Sequence, residues 1–399
     1  MTNNAASPAG FAPLKGITVL ALEQAVAAPF CTRQLAELGA RVIKIERPGA
    51  GDFARGYDAR VRGLSSHFVW TNRSKQSLTL DIKHPEARAI LERLLARTDV
   101  LVQNLAPGAT DRLGLSHVAL CEQHPRLIVC DISGYGADGP YRDKKAYDLL
   151  IQSESGLLSV SGTPEQPSKA GCSIADIAAG MYAYSNILAA LIERGLTGRG
   201  RRIDVSMLES TVEWMSFPLY YSFEGAEPPV RAGASHATIY PYGPFPAGDG
   251  KRVMLGLQNE REWAVFCRQV LQQPELAGDE RYASNERRLA AREVLDGIIG
   301  EAFKLLTSEQ VIARLDAAQI ANARLNSMHD VWAHPQLQAR QRWTSVQTPA
   351  GEVPALLPPG ADAAHISAVP DVGEHTASIL AELGYGGSEL QRFRDEKVI

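Results

Sequence analysis

The chain has no strong excess of charge of either sign. Its 41 Lys and Arg against 45 Asp and Glu leave a net charge of −4. That balance is too weak, and of the wrong sign, for a polyanion-binding surface, so nucleic acid is not expected as a partner. Cysteine is scarce. The five residues Cys31, Cys121, Cys130, Cys172 and Cys267 are odd in number and form no Cys-x-x-Cys pair. They read as reduced, buried thiols of a cytoplasmic protein, not as a disulfide frame or a zinc site. The nine histidines lack metal-ligand spacing, since His329 and His334, five apart, would not share a helix face. No P-loop pattern and no Gly-x-Ser-x-Gly elbow occurs, so phosphate-loop and serine-hydrolase chemistry have no anchor. Met1 to Gly10 is small and polar, without the basic and apolar regions of a signal peptide, and residues 1–12 are expected to be disordered. The one long apolar run, Ile174 to Ile192, contains Asp176 and Asn186. Charge is costly at bilayer depth, so a buried helix is expected and no membrane span.

What is present describes a globular protein of two or three domains, with 45% hydrophobic and 22% charged residues in 399. Ile17 to Leu22 reads as a buried strand, followed by a helix opening at Pro29 and ending at Gly39. Further strands are expected at Arg41–Glu46, Ser77–Asp81, Asp99–Gln103, Arg126–Asp131 and Arg201–Val205, with helices between them and a single helix from Met207 towards Tyr221. Short apolar strands alternating with helices predict an α/β protein with a parallel sheet covered on both faces. Ligands then bind beyond the strand ends, near Glu23 to Pro29, Arg47, Asn104 and Ser133 to Gly139. Glu224 to Gly250 is rich in Pro, Gly and Tyr, as in a linker or active-site loop. A smaller α+β unit follows, with a strand at Val253–Leu257 and helices near 260–271, 290–306 and 308–318. Gly134-Tyr-Gly136-Ala-Asp-Gly139 matches the dinucleotide fingerprint, but it comes late and runs into Pro140, which favours a tight surface loop.

Ser173-Ile-Ala-Asp176 organises the rest. Ile177, Met181, Tyr184, Leu188 and Leu191 recur at helical spacing behind it. Asp176 falls in the first turn, where the helix dipole favours an ionised carboxylate. Its plain reading is a capping box, with Ser173 as the N-cap. Its functional reading is a carboxylate facing a cleft from the small, flexible lead-in Pro167 to Cys172. Arg47, Lys83, Arg112 and Lys145 could serve a phosphate-rich ligand, though each singly reads as a solvated surface charge.

Taken together, Leu14-Lys-Gly-Ile-Thr-Val-Leu20, Ala27-Ala-Pro29, Val42-Ile-Lys-Ile-Glu-Arg-Pro-Gly49 and Leu80-Asp-Ile-Lys83 resemble the class III CoA-transferases, the formyl-CoA transferase and carnitine CoA-transferase family. So do Gln103-Asn-Leu-Ala-Pro-Gly108, Ala146-Tyr-Asp148, Thr197-Gly-Arg-Gly200 and Gly373-Glu-His-Thr376. The resemblance runs from about residue 13 to 385. It implies that Asp176 is the catalytic aspartate. It also implies CoA contacts at Val26, Ala27, Arg47, Leu80 to Lys83, Asn104, Leu105, Ala106, Arg112 and Lys145 to Tyr147. It further implies a Rossmann-like large domain over residues 13–205, a linker helix at 206–227, a small domain at 228–325 and a C-terminal segment, 326–399, that completes the large domain. Two copies would thread through each other as an interlocked homodimer. Coenzyme A and acyl-CoA are implied as substrates, with a carboxylic acid as acceptor and no tightly bound cofactor. Where the formyl-CoA member has glutamine this chain has Val26, and where it has a glycine-rich loop this chain has Gly233-Ala-Ser-His236-Ala-Thr-Ile239. Gly233 and His236 are therefore candidates for the acceptor site. His236 to Gly243 resembles members acting on small dicarboxylic acyl-CoAs.

The chemistry suits a carboxylate. Asp176 attacking a thioester would form an acyl–aspartyl anhydride, which keeps the transfer potential that a serine ester would lose. The competing reading is the related α-methylacyl-CoA racemase, which uses a histidine where Tyr147 stands here. A third reading is a CoA-binding protein without catalysis, in which Asp176 is a cap and nothing more.

Overall fold

The structure is a computed structural model describing residues 12–360, 362–363 and 365–399. The expectation of disorder before residue 12 lies outside the described residues. The chain divides into two compact units. One holds residues up to Gly156, Ala170–Met215 and Leu337–Ile399, and the other Leu157–Lys169 and Ser216–Gln336.

In the first unit, β1 (Thr18–Leu22), β2 (Arg41–Glu46), β3 (Gln76–Thr79), β4 (Val100–Gln103), β5 (Ile128–Ser133) and β6 (Arg202–Ser206) form one sheet. All pairings are parallel, in the order β3-β2-β1-β4-β5-β6. The order reverses between β1 and β4, the switch point where open α/β sheets bind ligands. Strand residues alternate between two cores. Val19, Ala21, Val42, Val100 and Val102 pack on α1 (Ala27–Glu37) and on the long helix that carries Asp176. Leu20, Leu22, Ile43, Ile45 and Leu101 pack on the helix Ala87–Leu95 and on C-terminal residues Ile379, Leu380 and Phe393. Burial on both faces is why these strands read as near-continuous apolar runs.

Helix α1 begins at Ala27, two residues before the expected Pro29. Pro29 still falls in the first turn, where no backbone partner exists for an N–H. The loop after β5 turns on Gly136 (φ +95°) and Gly139 (φ +74°) and opens no helix, in keeping with a tight surface loop. The next regular helix, α2 (Asp148–Glu154), starts nine residues on. Helix α3 (Ile174–Thr197) follows and ends at left-handed Gly198. Of the cysteines, only Cys31, Cys130 and Cys267 are buried; Cys121 and Cys172 are exposed, one on the outer face of a short helix and the other in the turn before α3.

The stretch expected as one helix after Met207 is two. Met207–Trp214 ends at Met215, and Ser216–Tyr221 belongs to the second unit. Pro218 lacks the N–H that a continuous helix would need. The second unit has its own antiparallel sheet of Tyr242–Pro246, Arg252–Gly256 and Ala321–Arg324. Trp263, Phe266, Ile299, Phe303 and Leu315 from its helices form the core against that sheet. The helix expected over 260–271 is α-helical only to Val265, then widens into a π turn to Leu271. The helix expected over 290–306 spans Arg292–Phe303.

Candidate active site

Six charged groups of one buried network shape the β1–α1 loop at the switch point. Lys75 Nζ donates to Glu23 Oε1 (2.6 Å), the Pro29 carbonyl (2.9 Å) and Asn72 Oδ1 (3.1 Å). Thr32 donates to the other Glu23 oxygen at 2.6 Å. Lys44 Nζ lies 2.8 Å from Asp52 and 3.4 Å from Glu23. Arg55 and Ser77 hold Glu46 at 2.7 Å each. Three carboxylates thus meet three cations. Burial alone would raise the Glu23 carboxyl, but Lys75 and Lys44 outweigh it and hold it below its ordinary range. Burial, opposed by Glu23, brings the Lys75 ammonium down to about 8.

The network holds the loop in an unfavourable shape. Ala25 has φ +62°, a left-handed conformation that non-glycine residues adopt at a cost of about 1–2 kcal/mol. Its N–H is tied to Asp52 Oδ1 at 3.2 Å. Asn104, at the end of β4, accepts the Gln24 N–H (2.9 Å) and donates back to the Gln24 carbonyl (2.8 Å). Val26 and Ala27 then open α1 with buried side chains. Among the described residues no acceptor meets the N–H groups of Val26, Ala27 or Ala28. An uncapped helix N-terminus of this kind favours negative charge.

Helix α3 crosses the start of α1 closely. A Cβ added at Gly180 would lie 2.7 Å from the Ala27 carbonyl oxygen and 3.0 Å from Phe30, so only glycine allows this approach. Asp176 precedes Gly180 by four residues and shares its helix face. The capping box expected there is absent. Ser173 occupies the N-cap position but its side chain makes no capping bond. Asp148, from α2, supplies the cap instead: its Oδ1 accepts the Ala175 N–H at 2.9 Å, and its Oδ2 accepts from Gln152 at 2.7 Å. Gln152 in turn accepts the Ala170 N–H at 2.9 Å. With capping done by another residue, the Asp176 carboxyl has no hydrogen-bond or ion-pair partner among the described residues. Its burial, and secondarily the nearby charge of Asp148, push it up to about 7. Tyr57, which sequence reasoning missed, stands in the same electrostatic neighbourhood. Burial, with Asp52, Asp176 and Tyr147 near it, pushes its hydroxyl up to about 12. No spacing or motif signals Tyr57; only the fold brings it here.

Beside the switch point, still within the first unit, lies a cleft of about 1360 Å³. It collects Arg47, Leu80, Lys83, Leu105, Ala106 and Arg112 from the expected contacts, and adds Arg88 and Lys397, which were not foreseen. Arg47 donates from Nε to the Gly51 carbonyl at 3.1 Å, leaving its terminal nitrogens for other partners. Val26, Ala27, Asn104, Lys145 and Tyr147 do not line this cleft. Asn104 instead anchors Gln24, which does. Lys145 and Tyr147 are exposed, on the lead into α2. The neighbouring Lys144 is committed to Glu154 and to the rings of Tyr135 and Tyr141.

In the second unit, the loop from Gly233 wraps around His236. Its Nδ1 accepts the Thr238 and Ile239 N–H groups at 3.1 and 3.0 Å, and its ring stacks on Tyr242. With Nδ1 accepting, the ring proton falls to Nε2, which has no hydrogen-bond partner among the described residues and offers a fixed donor. Gly233 is exposed at φ +61°. Among the described residues no cluster of three or more His, Cys, Asp or Glu side chains could hold a metal ion.

The comparisons with known proteins agree on one lineage. CoA-transferase family III matches residues 14–376. The human succinyl-CoA:glutarate CoA-transferase is 33% identical over 93% of this chain and 86% of its own length. The succinate–glutarate CoA-transferase of Agrobacterium fabrum is 34% identical over 93% and 96%. Among solved structures, a CAIB/BAIF family protein from Brucella suis aligns with a TM-score of 0.81 at 33% identity, covering 93% of this chain and 99% of that one. A parallel sheet with its cleft at the switch point, and sequence matches ordered along nearly the whole length, identify the chain as an enzyme of CoA-transferase family III.

Proposed function

We propose that the enzyme moves CoA between small dicarboxylic acids with Asp176 as the nucleophile. The observation that carries this is the Asp176 carboxyl itself, partly buried and unpartnered because Asp148 caps α3 in its place. The two named relatives are transferases of succinate and glutarate, which supports dicarboxylic substrates. In the first step the ionised Asp176 attacks the thioester carbonyl. The C–S bond breaks, CoA leaves as thiolate, and an acyl–aspartyl anhydride forms. The thiolate then attacks the aspartyl carbonyl, which releases the donor as a carboxylate and leaves an aspartyl-CoA thioester. The acceptor carboxylate attacks that thioester, and the returning thiolate takes the acceptor acyl group and frees Asp176. Each carbonyl develops an oxyanion, for which the free N–H groups of Val26 and Ala27 are donors of the right kind.

Arg47, Lys83 and Arg112 hold CoA phosphates in the cleft, with Leu80, Leu105 and Ala106 as its walls. Lys145 adds a further charge, and Tyr147 hydrogen-bonds the thioester. His236, presented by the loop at Gly233, reads a substrate carboxylate through Nε2–H. Proton transfer at an α-carbon fits less well, because it needs a second acid–base group. Asp148 is occupied by the Ala175 N–H and Gln152, and the exposed Tyr147 offers a phenol where an imidazole would serve. A second copy covers the apolar outer face of α3, where Ile192 and Leu196 are 70% and 85% exposed, and the adjoining hollow of about 660 Å³.

The test is chemical. Enzyme incubated with succinyl-CoA and quenched with hydroxylamine should carry a hydroxamate on the peptide containing Asp176, read by mass spectrometry. A label on any other residue would falsify the assignment.

A further inference from the structure

The cleft contains one residue whose backbone is strained and whose side chain is unused. Helix α4 (Gly387–Asp395) closes with the Val398 N–H bonded to the Phe393 carbonyl at 2.8 Å. Phe393 and Val398 are both buried in the same core. This is the Schellman ending, whose left-handed position belongs by preference to glycine. Here that position is Lys397, at φ +58°. The next residue is anchored as well: the Val398 carbonyl accepts the Asp81 N–H at 2.8 Å, which ties the turn to the Leu80–Lys83 segment. Lys397 is thereby held at the wall of the cleft that Arg47, Lys83 and Arg112 also line. Its ammonium makes no ion pair among the described residues, and the adjacent Glu396 is engaged by Arg392. A residue in a sparsely populated conformation, kept there by its surroundings, is a signature of functional positions.

We propose that Lys397 is a phosphate-binding residue of the CoA cleft, a role that rests on the CoA-transferase reading given above. The C-terminal turn supplies, at the exposed rim of the cleft, a positive charge that the glycine preferred in this position would not deliver. The contact is a charge-assisted hydrogen bond from the ammonium to a phosphate oxygen of the bound nucleotide.

The experiment measures CoA binding by titration calorimetry at low salt for the wild type, Lys397→Gly and Lys397→Arg. Alongside it, turnover of an acyl-pantetheine, which carries no phosphate, is followed. Lys397→Gly removes the charge and relieves the strained φ, so its thermal midpoint should stay level or rise while Kd for CoA increases about 5–20-fold. Lys397→Arg should bind CoA within about twofold of the wild type, and acyl-pantetheine turnover should be equal in all three. CoA affinity unchanged in Lys397→Gly overturns the inference, as does an acyl-pantetheine loss in proportion to the CoA loss. A wild-type chain that binds no CoA removes the underlying transferase reading as well, so the two failures are distinguishable.

Discussion

Glu23 and Asp176 are two carboxylates of the same unit, one buried and one partly buried, with opposite fates. Glu23 is surrounded by Lys75, Lys44 and Thr32 and is held ionised below its ordinary range. Among the described residues Asp176 meets no cation and no donor, and it is pushed up to about 7. Burial is common to both; the partners decide the outcome. A fully matched charge is a structural part and no longer a reagent. An unmatched one keeps its lone pairs and its basicity, and above pH 7 it is mostly ionised in a place that gives the charge little support. On the proposed mechanism, the stability given up at Asp176 is what makes it a nucleophile.

The sharpest way to break the contrast is Asp176→Asn. Transfer should fall by more than about 10⁴-fold in a steady-state CoA-exchange assay, because the proposed nucleophile is gone. The same variant should unfold at higher denaturant than the wild type. The folded carboxyl binds its proton near pH 7 and the unfolded one near 3.8, so between those values the folded wild type holds more protons. Its stability therefore declines as pH rises from about 4 to 7 and is level above. The asparagine variant avoids that decline, and its advantage of about 1–2 kcal/mol should be absent at pH 4 and complete above pH 7. A variant with near-normal turnover, or one less stable than the wild type at pH 8, contradicts the reading.

At the matched site the sign reverses. Glu23→Ala leaves Lys44 and Lys75 buried with one carboxylate fewer, and should cost about 3–5 kcal/mol in chemical denaturation. A loss below 1 kcal/mol would mean that the network is not what holds the loop. The smallest effect is expected from Asp148→Asn, which keeps an acceptor for the Ala175 N–H and removes the like charge beside Asp176. The acid limb of kcat/KM should move to lower pH, by less than about one unit, since burial is the larger cause. An acid limb that stays fixed or moves upward would remove Asp148 from the electrostatics of the site.

The parallel sheet was legible because its strands are apolar on both faces; Arg41–Glu46 appears with the bounds the sequence suggests. Lys44 is the signal that was passed over there. A lysine in mid-strand between Ile43 and Ile45 must either break the core or find buried carboxylates, and Glu23 and Asp52 are those carboxylates. Helix α4 was not legible, since Phe393 is its one buried side chain and periodicity has nothing to register. The capping error has a clear physical origin. Ser-x-x-Asp is a local pattern, whereas the bond that caps α3 comes from Asp148, 27 residues earlier in sequence. Tyr57 was hidden for the same reason. Local chemistry pointed to Asp176 as a residue of interest, and only the long-range contact shows why its carboxyl is free.

The clamp from α2 has a topological consequence. Between Gln152 and Ala170 the chain leaves the first unit for Leu157–Lys169 and comes back. The Gln152–Ala170 and Asp148–Ala175 bonds tie the outgoing and returning strands of this excursion at its neck. A loop whose ends are already joined loses little extra entropy when it grows, because the closure term rises only with the logarithm of its length. The segment between the ties can therefore change in length at little entropic cost while the register of Asp176 on its helix is preserved.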